Sequence, residues 1–228
     1  DTILGDGGIA LYTDGVLVSL SSDAAESGDD TITVVNGNNI IAGGAGADTI
    51  TTTDGVDIIL GDNGQLVWTA SGIIESVTAT DLTNGADDII VAGDADNIIV
   101  GATGNDVIET GIDNDTILGD GGIALYTDGV LVDLSSFALT SGNDDVRVAN
   151  GNNIIVTGQG NDDISTGTGN DIIASDNVQL DFNNSGVLIR ALSTQTDAGG
   201  VDTVIAAGGN NIIIAGSASD DITAGATT

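Results

Sequence analysis

The stretch DTILGDGGIALYTDGVLV at Asp1–Val18 recurs without change at Asp115–Val132, a period of 114 residues, and two such periods account for all 228 residues. Self-similarity at a fixed period reads as stacked supersecondary units in which each neighbour buries the apolar face of the next. Each period divides again, because DIILGDNG at Asp57 and DIIASDNV at Asp171 echo its opening. The chain therefore divides into a repeat unit over 1–114, with modules 1–56 and 57–114, and a second over 115–228, with modules 115–170 and 171–228. Ala224–Thr228 align with Thr110–Asn114, so the sequence reads as an excerpt from a longer array.

Inside a module the period falls to nine. Asp30, Asn39, Asp48 and Asp57 each stand two places before an apolar residue, namely Ile32, Ile41, Ile50 and Ile59. The same register carries Asp88, Asn97, Asp106, Asp115, Asp144, Asn153, Asp162, Asp171, Asp202, Asn211 and Asp220. A glycine usually sits two places before the Asp or Asn. Nine residues suit one tight turn and one short strand, so two blocks wind one coil of a parallel β-solenoid with the apolar residue pointing inward. A helix is excluded, since no i, i+3, i+4 pattern persists and glycine interrupts every block.

A second element of about twenty residues lies between the nonapeptide blocks. Its apolar residues alternate on both sides of Asp14-Gly15, Ser71-Gly72, Asp128-Gly129 and Ser185-Gly186, which predicts an inserted β-hairpin in each module. The fold class is thus all-β: a parallel, β-roll-like solenoid of nonapeptide half-coils with inserted hairpins. Tyr12, Trp68, Tyr126 and Phe182 occupy one matching hairpin position. They read as packing residues first and as a sugar-stacking platform second.

Charge narrows the function. Two basic residues face 35 acidic ones, for a net charge of −33, so nucleic acid is excluded as a partner. The chain has no His, Cys, Lys, Met or Pro, which removes imidazole and thiol catalysis, Schiff bases and disulfides. Asp pairs alone would allow a paired-carboxylate hydrolase, but no insertion singles out one pair, and no enzyme is expected. No apolar run approaches the ~18 residues of a membrane span, and Asp1 is followed by no signal-peptide pattern. Stacked carboxylates ~4.8 Å apart repel by roughly 0.9 kcal/mol per pair in water and about 3.5 kcal/mol at an effective dielectric of 20. Two arginines cannot neutralise such an array, whereas a hard divalent cation with oxygen ligands can, and calcium tolerates irregular coordination.

GGAGADTIT at Gly43–Thr51 resembles the repeat-in-toxin (RTX), or hemolysin-type, calcium-binding nonapeptide in full; GATGNDVIE at Gly101, TGQGNDDIS at Thr157 and TGTGNDIIA at Thr166 resemble it more loosely. The resemblance covers the nonapeptide blocks and leaves the hairpins aside. It implies a β-roll whose turns hold Ca2+ through the motif Asp and backbone carbonyls. The ligands it implies are Asp1, Asp30, Asp48, Asp57, Asp88, Asp106, Asp115, Asp144, Asp162, Asp171, Asp202 and Asp220. Asn39, Asn97, Asn153 and Asn211 are neutral where the family prefers Asp; they form an amide ladder along one edge or mark turns with weak or no metal. Asp6, Asp62, Asp120 and Asp176, beside each hairpin, are further ligands or caps of the hairpin start. The expected role is a calcium-binding structural segment of a large extracellular or cell-surface bacterial protein, self-associating head to tail into a filament or array. The alternatives are a calcium-triggered folding module of a type I secreted toxin or enzyme, and a polysaccharide-binding adhesin repeat.

Overall fold

The computed structural model describes residues 1–22, 27–137, 142–194 and 199–225; the last three of the residues aligned with Thr110–Asn114 lie outside it. Every regular element among them is a strand. The strands form three sheets of eight. Two are parallel and wind the solenoid, and one is antiparallel and made of the hairpins.

The middle sheet contains Thr2–Leu4, Ile40–Ala42, Ile58–Leu60, Ile98–Ala102, Thr116–Asp120, Ile154–Val156, Ile172–Ala174 and Ile212–Ile214, stacked in chain order. The outer parallel sheet runs from Thr31–Thr33 through Thr49–Thr51, Ile89–Val91, Val107–Thr110, Asp145–Val148, Asp163–Thr168 and Thr203–Gly208 to Asp221–Ala224. Pleating decides what each strand must carry. The central residues of both sheets, such as Ile41, Ile59, Ile99 and Ile117 against Ile50, Ile90, Ile108 and Val146, fill the solenoid interior and are fully buried. The flanking residues of the outer sheet face solvent and are often polar, as in Thr31 and Thr33. Those of the middle sheet face a second core, so Leu60, Val100, Leu118 and Val156 are apolar and buried. Hence the sequence reads Thr-Ile-Thr in one sheet and Ile-Ile-Leu in the other.

The hairpins build that second core. They neither extend the solenoid sheets nor stand free, but pair with one another into a sheet ordered along the whole stack. Leu20, Leu66, Val77, Ala124, Leu134 and Leu180 on its inner face pack on the middle sheet. The arrangement is commensurate. A hairpin supplies two strands, each about 4.8 Å wide, and occurs in every second coil, whose rise is also one strand width.

Each hairpin carries a register shift next to its aromatic residue, between Leu11/Tyr12, Val67/Trp68, Leu125/Tyr126 and Asp181/Phe182. An extra residue on the returning strand re-aims the chain there. It sets Leu17, Ile74, Leu131 and Leu188 opposite the four aromatics and toward the core. Asp14-Gly15 and Asp128-Gly129 turn with positive φ at both residues, 51° and 82° in the first, as Asp-Gly predicts. The other two hairpins differ from the sequence reading: only Gly72 and Gly186 have positive φ. Their loops are longer and close through Thr69 N–H to the Ile73 carbonyl and Asn183 N–H to the Val187 carbonyl.

Candidate metal centre

Two nonapeptides per coil create two edges, and the nine-residue register distributes its polar residues strictly between them. On the first edge the chain passes from the middle to the outer sheet, and the hairpins branch off from every second of these turns. Asp30, Asp48, Asp88, Asp106, Asp144, Asp162, Asp202 and Asp220 stack there. Each backbone N–H donates to Oδ1 of the Asp in the next coil, at 2.7–3.2 Å. The hydrogen bond fixes the carboxylate and leaves its other oxygen to be accounted for. Oδ2 of Asp48, Asp88, Asp106 and Asp144 is buried with no hydrogen-bond partner, in residues at most 2% exposed, while the carboxylates of Asp162 and Asp202, equally buried, are approached by the hydroxyls of Thr157 and Ser175.

The surroundings of these open oxygens are backbone. A Cβ placed on Gly43 would lie 2.2 Å from Asp48 Oδ2 and 2.3 Å from the Gly61 carbonyl oxygen. On Gly101 it would lie 2.3 Å from Asp106 Oδ2 and 2.5 Å from the Gly119 carbonyl oxygen. Glycine is needed here because carboxylate and carbonyl oxygens crowd the place of a side chain. Two places before the aspartates the backbone is left-handed, with φ of 128° at Gly46 and 127° at Gly104, and Ala218 holds φ 89° against its preference.

The four aspartates beside the hairpins reach into the same edge. Asp6 accepts from Ala45 N–H, Asp62 from Thr103 N–H and Oγ1, Asp120 from Gln159 N–H and Asp176 from Ser217 N–H. They therefore latch the turn of the next coil, and only Asp120 has a buried oxygen left without a partner. Burial, reinforced by neighbouring carboxylates, pushes Asp88 and Asp120 up to about 9 and Asp106 up to about 8. Burial raises Asp162 to about 7 and Asp48, Asp62 and Asp202 to about 6, and puts Asp144 well above the carboxylate range. Neither arginine answers this charge: Arg147 pairs with Glu109 and Asp145, and Arg190 with Asp181, all at the surface.

The return edge carries the remaining positions: Asp1, Asn39, Asp57, Asn97, Asp115, Asn153, Asp171 and Asn211. Its aspartates and asparagines alternate coil by coil along the same kind of ladder, with backbone N–H to Oδ1 at 2.8–3.0 Å. Asn39, Asn97 and Asn153 also donate Nδ2 to Oδ1 of Asp57, Asp115 and Asp171. Asp1 joins this ladder, its backbone nitrogen donating to Asn39 Oδ1. On both edges an outer row one residue earlier adds exposed amide pairs, as Asn143 to Asn105 and Asn161 to Asn143 on the first and Asn152 to Asn114 and Asn170 to Asn152 on the return; the nine-residue reading missed it.

A cation fits the first edge. Buried carboxylate oxygens without donors, crowded by carbonyl oxygens, are the donor set of a hard ion. Among the described residues no three acidic side chains converge on one point, so carboxylates and carbonyls must share the coordination. Of the aromatics, Trp68 and Phe182 are 8% and 4% exposed and belong to the second core, while Tyr12 is 59% exposed. Trp68 and Tyr126 also line a cleft of about 460 Å³ with Asn38 and Ile58.

A family model described as the RTX calcium-binding nonapeptide repeat matches the chain in four copies, over residues 33–65, 91–123, 140–173 and 197–227. Each match is centred on a coil without a hairpin. No curated protein and no solved structure matches the chain. The four copies span just over half of the residues and bring with them calcium as the bound ion: the chain belongs to the RTX calcium-binding nonapeptide-repeat family.

Proposed function

We propose that this chain is a calcium-stiffened structural segment of a large extracellular bacterial protein, building a surface layer, adhesin stalk or fibre, and that it catalyses nothing. The observation that carries this reading is the unbroken run of three eight-stranded sheets along one axis. A hairpin wall that continuous thickens the solenoid over its whole length, which is of use to a load-bearing rod. No helix of the structure is long and apolar enough to cross a membrane. An extracellular setting supplies the calcium, since outside cells such modules work at about 10⁻⁴–10⁻³ M.

In this reading the Asp ladder ties coil to coil through Oδ1, holds Oδ2 against the glycine carbonyls and carries a charge that disfavours folding until it is neutralised. Bound calcium supplies the positive charge and accepts oxygen ligands. Every coil pairs with its neighbours in the same parallel register, and in this reading head-to-tail self-association into a filament continues that register.

A calcium-triggered folding module of a secreted toxin or enzyme is the second reading, favoured by the buried, donorless carboxylates. The hairpin sheet speaks for the structural role, because a trigger needs only plain nonapeptides. The Trp68–Tyr126 cleft supports a third reading, polysaccharide binding. Far-UV circular dichroism during a calcium titration from an EDTA-treated start, with magnesium as control, tests the metal linkage. Negative-stain imaging of the loaded chain tests the assembly. A cooperative gain of β signal with calcium alone, together with end-to-end assemblies, is expected. Full β signal in EDTA refutes the linkage, and dispersed monomers refute the rod.

A further inference from the structure

The two edges are chemically inequivalent in a way that a nine-residue repeat does not require. On the first edge the residue five places before the ladder Asp, or its counterpart ahead of a hairpin, is glycine at Gly5, Gly43, Gly61, Gly101 and Gly119. On the return edge the corresponding residue always has a side chain, and its type follows the ladder residue. Thr52, Thr110 and Thr166 precede Asp57, Asp115 and Asp171; Val34, Ala92, Val148 and Ala206 precede the four asparagines. The hydroxyls of Thr110 and Thr166 donate to Oδ2 of Asp115 and Asp171 at 2.6 and 2.8 Å. Thr52 holds the same place before Asp57, where neither its hydroxyl nor Asp57 Oδ2 has a partner. Where the ladder residue is neutral, a donor is unnecessary and an apolar side chain fills the space, buried in all four cases.

We propose that calcium occupies one edge only: the first edge, with its open Asp oxygens and glycine cradles, binds it, and the return edge is closed by threonine hydroxyls, asparagine amides and apolar fillers and binds none. This rests on the calcium reading above and departs from a repeat in which every turn is a site. Three requirements of an oxygen-ligated cation separate the edges: a charged ligand in every coil, an oxygen not already taken by a donor, and space beside the backbone carbonyls. The first edge meets all three at Asp48, Asp88, Asp106 and Asp144. The return edge has a carboxylate only in alternate coils; Thr110 and Thr166 have already taken the spare oxygens of Asp115 and Asp171, and at Asp57, whose Oδ2 is open, Thr52 stands where the first edge has glycine. Thr157, Ser175 and Ala215 replace glycine toward the C-terminal end of the first edge, so its sites weaken in that direction.

The test is terbium or calcium binding to the full chain, located by anomalous scattering from crystals grown with the ion and counted by equilibrium dialysis. One row of ions beside Asp48, Asp88 and Asp106 is the expected result. Two rows, or a row beside Asp57 and Asp115, overturn the inference and leave calcium binding intact. No bound ion at millimolar concentration overturns the calcium reading itself. In solution Asp57→Asn with Asp115→Asn leaves the bound-ion count unchanged and the affinity within about twofold, whereas Asp48→Asn with Asp106→Asn removes at least two ions. Loss of ions from the return-edge pair while its circular dichroism stays that of the parent refutes the proposal. Should the first-edge pair fail to fold, the crystallographic row decides the matter on the unaltered chain.

Discussion

On the first edge Asp106 stacks between Asp88 and Asp144, all three acidic, buried and short of a donor. On the return edge, nine residues along the same coil, Asp115 stacks between Asn97 and Asn153 and is satisfied by a threonine. Both ladders use the same backbone hydrogen bond and nearly the same spacing, so that bond is not what distinguishes a binding turn from a structural one. The difference lies in the neighbours: whether the spare oxygen is left open, and whether the adjacent position holds glycine or a side chain. A buried carboxylate without a donor is expensive. Its repetition through successive coils of one edge, against the single case of Asp57 on the other, is therefore informative.

The largest effect comes from withdrawing calcium. Without the ion, folded Asp88, Asp120 and Asp106 keep protons up to about pH 9, 9 and 8, whereas an unfolded Asp loses its proton near 4. Between those values the folded chain binds more protons than the unfolded one, so stability falls as pH rises. The chelated chain is expected to keep its β signal near pH 4 and lose it progressively toward pH 9, while the calcium-loaded chain stays folded at neutral pH. Circular dichroism of a chelated sample that was as stable at pH 8 as at pH 4 would remove the distinction between the edges.

Asn97→Asp comes next, because it places a charge between Asp57 and Asp115 and makes three successive return-edge coils acidic. Urea unfolding in calcium is expected to show a loss of about 3 kcal/mol, from two new contacts at an effective dielectric near 20 with partial screening. An unchanged midpoint would mean that the return edge tolerates charge as the first edge does. Thr166→Val follows. It leaves Asp171 Oδ2 without its donor and should cost about 1–3 kcal/mol, while the same change at Thr157 on the first edge costs less. Equal losses would contradict the assignment of roles. Smallest is Asn143→Ala in the exposed outer row, expected at about 0.5–1 kcal/mol by the same assay, for loss of its amide bond to Asn105 and of the acceptor for Asn161. A loss as large as that of Asn97→Asp would place the main electrostatic restraint at the surface instead.

The stack of Asp and Ile was legible in the sequence because both recur every nine residues, and the hairpins were legible because Asp14-Gly15 and Asp128-Gly129 specify their own turns. Two things were not. Counting by nine treats Gly43 and Thr52 as variants of one position, whereas the coil needs eighteen residues and the two belong to opposite edges. The pairing of Thr with Asp and of Val or Ala with Asn is visible in the sequence only once that longer frame is adopted. The destination of the hairpins is a long-range matter: strands of one hairpin meet those of the next across a whole coil. The one local hint was the run of three apolar residues in Ile58–Leu60, too many for a strand with a single buried face. Ser71-Gly72 and Ser185-Gly186 misled in the other direction, since serine does not take the left-handed conformation there.

The matched widths of hairpin and coil pair have an evolutionary consequence. Duplicating or deleting a single coil would put two hairpins one strand out of step and leave a gap or a clash in the antiparallel sheet. Only gains or losses of a hairpin-bearing coil together with its plain neighbour preserve all three sheets. The length of such an array is thus quantised, and recombination between copies is expected to leave whole pairs of coils at every junction, however many copies a lineage keeps.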